Sequence, residues 1–184
     1  MSEKCRPPAD LDSDWMIDER SAAEPEVVDG AAWIYLISPA AGRLAGGSVH
    51  ERVVEVCEKG GWPTVGWPSE DPDRHRDPGD LFEDVRHAVE HADCVIALLG
   101  DLDETADAEL ALAYSHRRPI IGLRSARKGS IASEVQAMLE GYERARVISC
   151  GDSEECGSRL HAVLSDPDFG ATIRQAVGER AAAP

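Results

Sequence analysis

Residues Asp93 to Arg124 read D-C-V-I-A-L-L-G-D-L-D-E-T-A-D-A-E-L-A-L-A-Y-S-H-R-R-P-I-I-G-L-R. The run from Asp93 to Gly100 is apolar and strand-like. An acidic loop follows, then a short Ala-rich helix, and a second apolar strand opens at Pro119. Strand, helix and strand in that order make half of a doubly wound α/β unit, where ligands collect outside the carboxyl ends of the strands. Glu109 falls in the first turns of the helix, where a ligand of such a unit would lie.

The flanking sequence repeats the alternation. Ahead of this stretch, Ala31 to Ser38 (A-A-W-I-Y-L-I-S) reads as a buried strand and Pro39 to Gly47 as a Gly-rich loop carrying Arg43. Ser48 then opens a helix with Glu51 three residues on, the spacing of a capping box. Val49, Val53, Val54 and Cys57 recur at helical spacing, and Gly60 and Gly61 stop the helix. Trp62 to Pro68 is a short strand interrupted by prolines, which places it near a sheet edge. A polar loop from Ser69 to Asp80 leads to a helix from about Leu81 to His91. Beyond Arg124, a helix is expected over Ser130 to Glu140, a strand over Ala145 to Cys150, and a helix over Glu154 to Leu164. A tail or further helix starts at Pro167. Five strands alternating with helices imply an α/β fold, a single flavodoxin-like or Rossmann-like domain whose five-stranded parallel sheet carries helices on both faces. Residues 1–29, rich in Asp, Glu, Ser and Pro with no sustained period, read as a flexible acidic leader. The domain then spans 30–166, and 167–184 form the tail or helix.

Composition narrows the function. The 184 residues suffice for one domain with a core. A 42% hydrophobic and 29% charged content is that of an ordinary globular protein. The net charge of −16 argues against nucleic-acid backbones and anionic membranes as partners, because both would be repelled, yet a single nucleoside or nucleotide in a pocket remains compatible. No apolar run approaches the roughly 20 residues that span a bilayer. The five cysteines form an odd set without C-x-x-C pairs, which suggests reduced thiols and a cytoplasmic location.

Several side chains are chemical candidates, each with a plain structural alternative. Asp103, Asp107 and Glu109 crowd one helix start, where the helix dipole alone favours acids. Helical phasing puts Ala106, Leu110, Ala113 and Arg117 on one stripe with Tyr114 beside it. Glu109 lies at the edge of that stripe and is directed toward the sheet. Tyr35 stands in the middle of an apolar strand, where its hydroxyl needs either a backbone carbonyl or a neighbouring carboxylate. Residues 87–91, H-A-V-E-H, match an inverted zinc-protease pattern, with His87 and His91 on one helix face. A match of five residues arises readily by chance, and a solvated face is the simpler reading, so no metal is assigned. The Gly-rich loop is neither G-x-G-x-x-G nor a P-loop.

With these residues in view, the segment from Ala92 to Arg124 resembles the nucleoside 2-deoxyribosyltransferases and the related nucleotide N-glycoside hydrolases. The family shows a strand ending like I-Y-L-A-G-P, an acid-bearing helix ending in A-D, a D-x-G-T-x-x-E-L-G-Y-A helix start and a K-P-V-I-G-L-R strand. Here the corresponding pieces are W-I-Y-L-I-S-P, A-D, D-E-T-A-D-A-E-L and R-P-I-I-G-L-R, in the same order, and the resemblance covers about residues 32–150. It implies that Glu109 is the nucleophile, Tyr35 its hydrogen-bond donor, Asp103 the contact to the sugar 5′-hydroxyl and Asp84 the acid that protonates or orients the base. Gln136 would reach the sugar end of a neighbouring subunit's site, which requires a homodimer or higher homo-oligomer. Ser38, Arg43, Trp67 and His87 complete the expected substrate-binding set. The sequence departs from the pattern at Thr105, at Ala111-Leu112, in I-S-P after Tyr35, and in the position of Asp84, where Val85 occupies the family spacing.

The implied reaction cleaves the N-glycosidic bond of a (deoxy)nucleoside through a glycosyl-enzyme on Glu109, with transfer to a second base or to water. The partners are then a small-molecule nucleoside or nucleotide and a free base, and no cofactor is required. Two further readings accompany it. One is a nucleoside 5′-monophosphate N-glycosidase, with Arg43 on the phosphate, although Asp103 would repel that phosphate. The other is a non-catalytic nucleoside or nucleotide sensor on the same fold.

Overall fold

The computed structural model describes residues 32–38, 48–66, 78–100, 102–125 and 133–181. Five strands form one sheet: β1 (Ile34–Ile37), β2 (Thr64–Gly66), β3 (Cys94–Leu98), β4 (Ile120–Ser125) and β5 (Ala145–Cys150). Their order is β2-β1-β3-β4-β5 and every pair is parallel. This is the flavodoxin-like order, in which the direction of strand addition reverses between β1 and β3 while all strands stay parallel. The α/β architecture expected from the alternating pattern is thus the one observed. Six helices are described: α1 (Ser48–Lys59), α2 (Pro78–His91), α3 (Glu104–Ser115), α4 (Ser133–Glu140), α5 (Ser153–Leu164) and α6 (Pro167–Ala181).

Strand residues alternate between two cores, because successive side chains point to opposite faces. Tyr35, Ile37, Val95, Ala97 and Ile120 pack with Val85 and Val89 of α2, Ala106, Leu110 and Ala113 of α3, and Leu139 of α4. Ile34, Leu36, Cys94, Ile96, Ile121 and Leu123 pack on the other face against Val53 and Cys57 of α1, Cys156 and Leu160 of α5, and Phe169 and Ile173 of α6. β2 has three residues and one neighbour, as its flanking prolines predict for an edge strand.

Boundaries differ from the sequence expectation where caps decide them. α2 begins at Pro78 rather than near Leu81, since proline's fixed φ and missing N–H suit the first helical turn. α6 likewise opens on a proline. Asp166 Oδ1 accepts from the backbone N–H groups of Asp168 (2.8 Å) and Phe169 (3.2 Å). α5 starts at Ser153 because Asp152 caps it through Glu155 N–H at 2.8 Å. α4 is described over Ser133–Glu140, and residues 130–132 of the expected helix lie outside the described residues.

Two helices end in the same way on different residues. After α1, Gly61 (φ 74°) donates its N–H to Glu58 O and Trp62 N–H reaches back to Cys57 O. After α3, Arg117 (φ 55°) donates to Tyr114 O, and Arg118 N–H to Ala113 O. Both are Schellman caps, whose left-handed position favours glycine. Arg117 is therefore past the helix end and leaves the stripe that the sequence spacing had assigned to it.

The four described cysteines, Cys57, Cys94, Cys150 and Cys156, are buried free thiols. Burial pushes the Cys57 and Cys156 thiols up to about 12 and raises that of Cys94 as well. They behave as small core residues. No helix among the described residues is long and apolar enough to cross a membrane.

Candidate functional site

The site is built on β1 and α3, the two elements that flank the reversal point of the sheet. Tyr35 is the second residue of β1 and stands opposite Val95 of β3. Strand alternation turns its ring toward the face covered by α3. Glu109 lies in the second turn of α3, on the same buried side as Ala106, Leu110 and Ala113. Tyr35 is fully buried and Glu109 is 2% exposed. Their side chains meet: Tyr35 Oη donates to Glu109 Oε2 at 3.2 Å, across 74 residues of sequence. Of the two partners open to the Tyr35 hydroxyl, a carbonyl or a carboxylate, the structure selects the carboxylate. Burying a carboxylate is costly unless it is hydrogen-bonded, and Tyr35 supplies such a bond.

The acids around the helix start separate into distinct roles. Asp103 is the N-cap of α3, with extended backbone (φ −90°, ψ 169°), and its Oδ1 accepts from Ala106 N–H at 2.9 Å. Glu104 and Asp107 are exposed first-turn acids, the arrangement that the helix dipole favours. The dipole explains those three positions. It does not explain Glu109, which is inside the protein and one turn further along.

The remaining candidates are less concentrated. Ser38 follows β1 and is 2% exposed. Asp84 is half-buried on α2, and the neighbouring Val85 fills the core beneath it. One helical step separates their directions by about 100°. His87 is exposed, and its ring stacks on His91 with centroids 4.0 Å apart. Gln136 of α4 donates to Glu140 Oε1 at 2.6 Å. Arg43 and Trp67 lie outside the described residues. Among the described residues, no group of three or more His, Cys, Asp or Glu side chains is placed to hold a metal ion.

One buried carboxylate was not singled out from the sequence. Asp93, fully buried, accepts Trp33 N–H on Oδ2 at 3.0 Å, while its own N–H donates to Trp33 O at 3.0 Å. It ties the start of β3 to the residue preceding β1. The available signal was the position of an acid directly before an apolar run, within the A-D pair.

No protein-family model matches the chain, and no curated protein matches it in sequence. Solved structures do share its fold. CMP N-glycosidase BcmB of Clostridium botulinum superposes with a TM-score of 0.57 at 15% identity, over 71% of this chain and 98% of the other. A 2-deoxyribosyltransferase of Bacillus psychrosaccharolyticus gives 0.53 at 17% identity, over 77% and 96%. BlsM, known from a solution structure, gives 0.52 at 17% identity, over 84% and 96%. At these identities the likeness is one of fold.

Proposed function

We propose that the chain is an enzyme that cleaves the N-glycosidic bond of a nucleoside, with Glu109 as nucleophile and Tyr35 as its positioning hydrogen-bond donor. The observation that carries this reading is the buried Tyr35–Glu109 bond on the two elements flanking the sheet's reversal point. The fold shared with an N-glycosidase and a deoxyribosyltransferase supports it.

In this mechanism a carboxylate oxygen of Glu109 attacks the anomeric carbon as the bond to the base nitrogen breaks. The bonding electrons leave with the base, which takes a proton from Asp84, directly or through water. The sugar passes through an oxocarbenium-like transition state to an ester on Glu109. A nitrogen of a second base, or water, then attacks the same carbon, gives its proton back to the Asp84 carboxylate and frees the carboxylate of Glu109, which Tyr35 stabilises as it departs. Asp103, at the start of α3, bonds the sugar 5′-hydroxyl. Ser38, Arg43, Trp67 and His87 complete the substrate contacts, and Gln136 contributes to the site of a second copy in a homo-oligomer.

The test is incubation with deoxynucleosides, ribonucleosides and their 5′-monophosphates, with and without a free acceptor base, followed by chromatography of the bases. Base exchange identifies a transferase, and base release alone a hydrolase. Faster release from the monophosphate would assign the phosphate-bearing substrate. If no base is released or exchanged, and Glu109→Ala binds the same ligands with unchanged affinity, the enzymatic reading fails. Binding that depends on Glu109 without turnover would select the sensor.

A further inference from the structure

The proposed glycosidic reaction gives His87 a place among the substrate contacts but assigns no role to the imidazole pair that it forms with His91 at the end of α2. His87 and His91 stand one turn apart, so both project from the same side of the helix. Their rings are stacked, 23° between planes and 4.0 Å between centroids, so the exposed His87 must swing off the face of His91 before both in-plane lone pairs meet one ion. His91 Nδ1 is 2.8 Å from the backbone oxygen of His87. A carbonyl oxygen only accepts, so Nδ1 carries the proton and the lone pair of the neutral ring is on Nε2. That is the tautomer in which metal-binding histidines are usually held, with the second nitrogen donating to a carbonyl or carboxylate.

We propose that His87 and His91 form a two-histidine chelate for a divalent first-row transition ion such as Zn²⁺, with water filling the other positions. Four observations support it besides spacing. The orientation of His91 is already set by its bond to the helix backbone. His91 is the last residue of α2, where the helix dipole favours a cation. The neighbouring cation Arg86 is neutralised, its guanidinium held by Glu83 at 2.6 Å and Glu90 at 3.1 Å. The chain's net charge of −16 raises the local concentration of cations. A site with two protein ligands and open positions is weaker than a closed structural zinc site. Its effect is to pin the last turn of α2, the helix that leads directly into Asp93 and β3, and to stabilise the fold by ligand linkage. The inference is independent of the glycosidic reaction.

The experiment uses the full untagged chain with Zn²⁺ alone as probe, and Cys5→Ser in every sample. That substitution removes the one cysteine outside the described residues, while the four described thiols are buried in the core. Calorimetric titration measures affinity for the parent, for His87→Ala and for His91→Ala. Imidazole NMR resonances are followed in parallel on the parent. Expected is a saturable site whose affinity falls about tenfold or more in either variant, at least the loss caused by removing a supporting hydrogen bond from a metal site. The His87 and His91 resonances should shift together along the same titration. Absence of any imidazole shift at millimolar Zn²⁺, or unchanged affinity in both variants, would overturn the proposal even if a variant folded poorly.

Discussion

Asp93 and Glu109 are both buried carboxylates attached to β3, one just before the strand and one on the helix that follows it, and they are partnered differently. Asp93 exchanges two hydrogen bonds with the backbone of Trp33, so its carboxylate substitutes for a ladder bond at the amino end of the sheet. Glu109 is held by a side chain, the Tyr35 hydroxyl. A backbone partner locks a carboxylate into the fold. A side-chain hydroxyl donor orients the Glu109 carboxylate without tying it into the sheet ladder. The comparison extends to the helix ends. The amino end of the sheet is fastened by the Schellman cap at Arg117 and by Arg144, which donates to Arg117 O and to both oxygens of Glu179 on α6. The carboxyl end holds the Asp103 cap and the start of the helix that delivers Glu109.

If the two carboxylates differ in this way, their substitutions separate activity from stability. Glu109→Gln keeps the shape and the Tyr35 contact but removes the proposed nucleophile. Turnover of a nucleoside should fall at least about a thousandfold, roughly 4 kcal/mol in the barrier, with little change in denaturation midpoint. Asp93→Ala should do the reverse. Folding stability should drop by about 2–3 kcal/mol, because a buried backbone N–H loses a charged acceptor, while kcat per folded molecule stays close to that of the parent. Asp93→Asn, which retains an acceptor oxygen, should lose less in the same urea titration. Tyr35→Phe is intermediate. It deletes only the hydroxyl, and kcat/KM should fall about tenfold, or 1.4 kcal/mol, at small cost in stability. The smallest effect belongs to Arg117→Gly. Relief of the left-handed backbone, worth about 1–2 kcal/mol, outweighs the entropy cost of glycine, leaving a gain of about 0.5–1 kcal/mol in the thermal unfolding of the variant. Gly61 already occupies the matching position after α1.

The alternation of apolar runs and amphipathic helices made the sheet and its two faces legible from the residues alone, since the central strands β1 and β3 are continuous apolar runs. Helix starts were less legible. Pro78 begins a helix that the polar stretch before it disguised, although proline in a first turn is a usable signal, whereas Pro167, read as the start of a tail or helix, does open one. The site was only partly legible. Charge patterning could not separate Glu109 from Asp103 and Asp107, because in sequence all three crowd one helix start. The separation appears in space, where Tyr35 meets Glu109 from a strand 74 residues away and Asp103 turns back onto the helix it caps. Only the family resemblance paired Tyr35 with Glu109 in advance. Asp93 escaped notice because nothing in its local sequence reveals that its carboxylate will meet the backbone of another strand.

The central claim is that Glu109 carries the sugar during turnover. The direct measurement is a denaturing mass spectrum of the chain quenched while it consumes a deoxynucleoside, followed by peptide mapping. The account predicts a mass increase of one deoxyribosyl group on the peptide containing Glu109, absent in Glu109→Gln, which also fails to release base. Undiminished base release by Glu109→Gln, or an adduct mapped to a different residue, would contradict it.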